Sequence, residues 1–107
     1  MDNTYKQGLN QVCETLYEGV DNPVSLLLTI LNKRFYRYKD TSYWEDIEQI
    51  GAIALWHTFS LISQQKDIPN PNNYIKVHIT HEIQNEIKSF IFTVNIHKKP
   101  KSQIMFI

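Results

Sequence analysis

The chain has 107 residues, 42% hydrophobic and 21% charged, with Lys and Arg balancing Asp and Glu to a formal net charge of zero. This excludes a disordered chain, two separate cores and a wholly basic nucleic-acid clamp, while leaving room for local charged patches. The single cysteine, Cys13, excludes an internal disulfide, and with neither a signal peptide nor an apolar run of roughly 20 residues the expected location is the cytoplasm, off the membrane.

Proline and glycine divide the sequence into four helical stretches, with no internal repeat. The first is expected over residues 4–18, with Tyr5, Leu9, Val12 and Leu16 on its inner face and Gly19 as terminator. Asn22-Pro23 pairs an N-cap side chain with proline at the first helical position, and Val24, Leu27, Leu28, Leu31, Phe35 and Tyr38 predict a second helix to about residue 38. Thr41 or Ser42 is expected to cap the third, which carries Glu45 and Asp46 in its first turn, where the helix dipole favours anions, and continues to about 64. Its inner face is expected to hold Ile47, Ile50, Gly51, Ala54, Leu55, Thr58, Leu61 and Ile62. Gly51 costs a helix interior about 1 kcal/mol against alanine, which suggests close approach of another helix. Beyond the loop at Pro69–Asn73, a fourth helix is expected over 73–92 on Ile75, Ile79, Ile83, Ile87 and Phe90 or Ile91. The reading is an all-α compact bundle of three to four main helices over 1–93, followed by a basic tail or short docking segment over 94–107.

Two of these helices carry a second face. On the third, Asp46, Gln49, Ile53, Trp56 and Ser60 share one side, a mixture suited to protein docking because Trp anchors interfaces and an amide sets register. The competing reading places Ile53 and Trp56 in the core. On the fourth, Tyr74, Val77, His78, His81, Gln84 or Asn85, and Lys88 lie opposite the isoleucines. Such a face can stack on unpaired bases and donate to base edges or phosphates, and it is equally the ordinary surface of a half-exposed helix. Lys33, Arg34, Arg37 and Lys39 complement the carbonyl end of the second helix, with phosphate contact as the sharper alternative.

Enzyme chemistry is not expected. The glycines form no phosphate loop, Cys13 has no adjacent base, and no carboxylate pair stands out. His78 and His81 would need a further ligand such as His57 or Glu82 to hold a metal, so no metal or other cofactor is expected.

Residues 46–56, Asp-Ile-Glu-Gln-Ile-Gly-Ala-Ile-Ala-Leu-Trp, resemble the Asp-Leu-x-Gln-Glu-Gly-x-Ile-Gly-Leu segment of sigma factors of the sigma-70 family. Residues 74–83, Tyr-Ile-Lys-Val-His-Ile-Thr-His-Glu-Ile, are similar to that family's Tyr-Ala-x-Trp-Trp-Ile-Arg-x-x-Ile stretch. The resemblance covers residues 24–90, the family's region 2. It implies docking on the clamp helices of the largest subunit of core RNA polymerase through Asp46, Gln49, Ala52, Ile53 and Trp56. It further implies contact with the non-template strand of promoter DNA at the −10 element. There Tyr74, Val77 and His78 occupy melting positions, and His81, Gln84 and Lys88 complete the DNA-binding set. Ile50 stands where the family has Glu, Val77-His78 where it has a Trp pair, and Thr80 where it has Arg. Nothing after the fourth helix is long enough to be the family's helix-turn-helix that reads the −35 element, so the resemblance leaves three readings open: half of a split sigma factor with a second sigma-like subunit, a phage or mobile-element regulator, or a decoy that occupies the clamp. The reading from another class is a helical protein-interaction module, an adaptor or decoy without promoter opening.

Overall fold

The computed structural model describes the backbone of residues 2–65 and 67–98, with side chains through 89. These residues form four α-helices, α1 Asn3–Leu16, α2 Pro23–Arg34, α3 Trp44–Ser63 and α4 Pro71–Lys98, with a 3₁₀ turn at Tyr36–Tyr38 and no strand. The all-α bundle is as expected; several boundaries and faces are not.

Asp2 caps α1 by accepting the Tyr5 N–H at 2.8 Å. The inward line of α1 is Leu9, Cys13 and Leu16, whereas Tyr5 and Val12 stay 51% and 46% exposed. Leu9 and Leu16 pack inward as expected, and Cys13 rather than Val12 completes the line, because α1 packs on α2 and α3 together. The helix also stops earlier than Gly19. Tyr17 turns extended at φ −155°, ψ 120°, and its ring meets Phe59 edge-on at 6.3 Å. Gly19 matters here because a Cβ at that position would collide with the Tyr17 ring.

Asn22 holds a left-handed backbone, φ 49°, and caps α2 by accepting the Ser25 N–H at 3.2 Å. Asn10 of α1 reaches across to the same helix start, accepting the Val24 N–H at 2.8 Å and donating to Asn22 Oδ1 at 3.0 Å. The otherwise orphaned Val24 donor at the N-terminus of α2 is thus satisfied, and α1 is fixed against it. The helix ends at Arg34 rather than reaching Tyr38, because Phe35 leaves helical geometry at φ −123°, ψ 18°. Phe35 remains buried and Tyr38 half-buried, so the apolar spacing that suggested more α-helix is satisfied by the 3₁₀ turn.

Thr41 does not cap α3. Its hydroxyl donates to the Tyr38 carbonyl at 2.7 Å and accepts the Tyr43 N–H at 3.2 Å, which holds the turn before the helix. α3 packs against the other three helices, so its buried arc is broad and takes in Ala52 and Phe59 alongside Ile47, Ala54, Leu55, Thr58 and Ile62. Leu61, expected inside, is 41% exposed. Gly51 faces α2: a Cβ there would lie 2.9 Å from Leu27 Cδ1, the close approach that its helix-interior cost suggested.

Asn70, also left-handed at φ 52°, precedes Pro71 at the start of α4, which runs for 28 residues, or about 42 Å at the α-helical rise. Ile75, Ile79, Ile83 and Ile87 recur every fourth residue and are all buried. The helix passes through 93–94 without a break, so the expected boundary there falls inside it. The expected core positions Phe90 and Ile91 lie outside the described side chains, and residues 99–107 of the tail outside the described backbone. No described helix is long and apolar enough to cross a membrane.

Candidate functional site

The second face of α3 is a real surface. Asp46 and Gln49 are exposed, and Ile53 and Trp56, spaced to follow them on one side, retain 54% and 46% of their surface in solvent. The core reading of those two residues is thereby corrected. Burial all round α3 would require a neighbour on this side, and α1, α2 and α4 occupy the others. Ala52, grouped with them by the resemblance, is 2% exposed and points into the molecule, so it offers no contact surface. The strip is therefore Asp46, Gln49, Ile53 and Trp56, with half-buried Ser60 at its far end.

α4 presents a crest flanked by two clefts. Val77 and His81 line both clefts, and the exposed Gln84 and Lys88 continue along the same side of the helix. Val77 is an apolar side chain left 45% exposed. Tyr74 and His78 stand apart from this crest. The Tyr74 ring is half-buried and stacks on the His78 imidazole with centroids 5.8 Å apart and planes 19° from parallel.

His78 is held inward from the α3 side. Its Nδ1 lies 2.8 Å from the hydroxyl of Thr58, a fully buried residue. Thr58 Oγ1 also sits 2.8 Å from the Ala54 carbonyl. One hydroxyl hydrogen serves one acceptor, so with Thr58 donating to Ala54 the His78 Nδ1 carries the hydrogen and donates to Thr58. Glu82, one turn on, places one carboxylate oxygen 3.7 Å from His78 Nδ1 and the other 2.7 Å from Nδ1 of His57. His57 in turn leans against Trp56 with ring centroids 5.1 Å apart. A chain of side chains thus runs from the exposed strip of α3 to Tyr74 of α4, through Trp56, His57, Glu82 and His78.

The sequence brought His57 and Glu82 beside His78 only as possible metal ligands, and Thr58 not at all as a partner of His78. His57 and Glu82 are 25 positions apart, and only the antiparallel register of α3 and α4 brings them together. Among the described residues, no group of three or more His, Cys, Asp or Glu side chains is placed to hold a metal ion. Cys13 is fully buried, and burial, helped by the charge of Glu14, pushes its thiol up to about 11, so it is protonated at neutral pH.

Fold and site together define a helical bundle with an exposed amphipathic strip on α3 and a polar crest on α4. Comparison of the chain with protein-family models, with curated proteins and with solved structures gives no match.

Proposed function

We propose that this domain is a transcription factor of sigma region 2 type that docks on core RNA polymerase through α3 and presents α4 to promoter DNA. The observation that carries the reading is the exposure of Ile53 and Trp56 in line with Asp46 and Gln49. An indole and a branched aliphatic left half in water, rimmed by a carboxylate and an amide, make the core-and-rim composition of a protein interface. These are also residues that the sigma-like motif assigns to polymerase contact. Its second motif falls on α4, the helix packed against α3, so one bound partner would hold both faces in a common frame.

Asp46→Ala/Trp56→Ala should abolish capture of bacterial core RNA polymerase by the purified domain while leaving its helical circular dichroism and melting unchanged. Interface anchors of this kind contribute roughly 2 kcal/mol or more each, so affinity should fall by at least about 30-fold. Full capture by the folded double variant, or no capture by the wild-type chain, would overturn the assignment.

One observation favours a second reading, polymerase docking without strand opening, as in an adaptor or decoy. Where the sigma motif has two tryptophans, this chain has Val77 and His78, and His78 is tied to Thr58 and stacked on Tyr74. Stacking an unpaired base contributes about 1–3 kcal/mol, and neither residue offers a free indole for it. Permanganate reactivity of promoter thymines in the polymerase-bound complex separates the two: reactive thymines mean opening, protected ones a docking protein alone.

A further inference from the structure

We infer that the cleft between α2 and α4 is a binding site for nucleotide phosphates, so that α2, and not α4 alone, carries nucleic-acid contacts. The inference deepens the α4 side of the proposed function and rests on that reading for its biological context, though its chemistry stands on the cleft itself. The cleft has a volume of about 400 Å³, within the range of small-ligand clefts. Two helical stripes face each other across it, Thr29, Lys33 and Arg34 from α2, and Lys76, Thr80 and Gln84 from α4.

Charge is what distinguishes this cleft. Lys33, Arg34 and Lys76 converge on it, its lining contains no carboxylate, and none of the three cations has an ion pair among the described residues. In a chain of zero net charge, three uncompensated cations on one concave surface form a local field that attracts an anion. Helix-end electrostatics accounts for Lys33 and Arg34 but not for Lys76, which sits within α4 and faces them. The hydroxyls of Thr29 and Thr80 donate back to the Ser25 and Lys76 carbonyls at 2.9 and 2.7 Å. Donors to a bound oxyanion are therefore the guanidinium, the two ammonium groups, the Asn73 and Gln84 amides and the His81 ring, with Arg34 able to bind a phosphate through two N–H groups. The floor is apolar, formed by half-buried Leu26 and buried Ile30, and Val77 stands at the edge shared with the α4 crest. A flat, weakly polar base suits that floor while its phosphate meets the cations. An acidic peptide would match the charge but leave the floor unused.

The source is a single strand crossing the α4 crest or a free nucleotide, and one titration separates them. Amide spectra of the isotope-labelled full chain are recorded at low salt with an oligothymidylate of about 12 nucleotides, inside the span that single-strand sites cover. Adenosine monophosphate and a polyglutamate peptide are titrated in parallel. Shifts centred on Thr29, Lys33, Arg34, Lys76 and Gln84 are expected with the oligonucleotide. If three phosphates are engaged, log affinity should fall with log salt at a slope of about −2, dropping to about −0.7 in Lys33→Gln/Arg34→Gln. Equal shifts with the mononucleotide keep the site and identify a free nucleotide as its ligand. Absent groove shifts, equal shifts with polyglutamate, or an unchanged salt slope in the variant would overturn the inference. The glutamine variant preserves helix propensity and lies off the α3 strip, so its capture of polymerase should match wild type. Failure of the groove and failure of the docking assignment therefore read out separately.

Discussion

At the scale of single residues, the chemistry of a side chain here follows from its depth more than from its type. Trp56 and Phe59 are three positions apart on one helix, yet the first is half exposed and the second fully buried. Cys13 shows the same dependence in its titration. Its folded thiol is pushed up to about 11 from an ordinary 9.0, first by burial and then by Glu14. Below pH 9 the thiol is protonated whether the chain is folded or unfolded, and the stability linked to it is complete. Between 9 and 11 the unfolded chain ionises first, so stability is lost as pH rises through that window. Wild type should lose unfolding free energy there more steeply than Cys13→Ala, by up to about 1.4 kcal/mol per pH unit. The same burial predicts slow alkylation of native Cys13 by iodoacetamide and rapid alkylation in urea. Equal alkaline slopes in urea melts of the two proteins would show that the thiol is hydrated in the fold.

At the scale of elements, helix contacts are set by a few small or polar residues. Asn10 ties α1 to the start of α2 through two hydrogen bonds, and Gly51 lets Leu27 of α2 lie against the α3 backbone. Alanine at position 51 gains about 1 kcal/mol of helix propensity. The added Cβ, however, sits 2.9 Å from a methyl of Leu27, which has no exposed surface into which to move. Overpacking of this kind costs about 1–3 kcal/mol, so Gly51→Ala should destabilise the domain by about 1 kcal/mol net. In a Leu27→Ala background the clash is gone and the same substitution should stabilise. Urea denaturation of the four proteins in this cycle reads the sign change directly, and stabilisation in both backgrounds would show that α2 and α3 can separate without loss.

At the scale of the whole molecule, α4 is the partition. Its isoleucine line closes the core, its α3-facing side carries the His78–Glu82 cluster, and its other side forms the cationic cleft with α2. The proposed docking strip and the proposed phosphate site therefore share no residue. Asp46→Ala/Trp56→Ala should leave the oligonucleotide-induced shifts in the α2–α4 cleft unchanged, and combining it with Lys33→Gln/Arg34→Gln should give additive losses in each assay. Altered groove shifts in the docking variant would indicate coupling through the chain of contacts from Trp56 to Tyr74.

The four helices, the capping role of Asn22-Pro23 and the four buried isoleucines of α4 were legible from the residues alone, because helical period and end chemistry are local properties. So was the close approach at Gly51, since a glycine inside a strong helix asks for a steric reason. What lay beyond the sequence was everything that depends on which neighbour covers which side. Tyr5 and Val12 continue an apolar stripe and yet face water, Ala52 was expected among the docking residues and yet faces the core, and Leu61 gives its expected inner place to Phe59. Periodicity identifies a line of residues on a cylinder but not the angle at which the next cylinder touches it. The pairing of His57 with Glu82 and the convergence of Lys33, Arg34 and Lys76 are of that second kind. They exist only because α3 and α2 pack against α4 in one particular register, a choice made by the complementarity of the whole core.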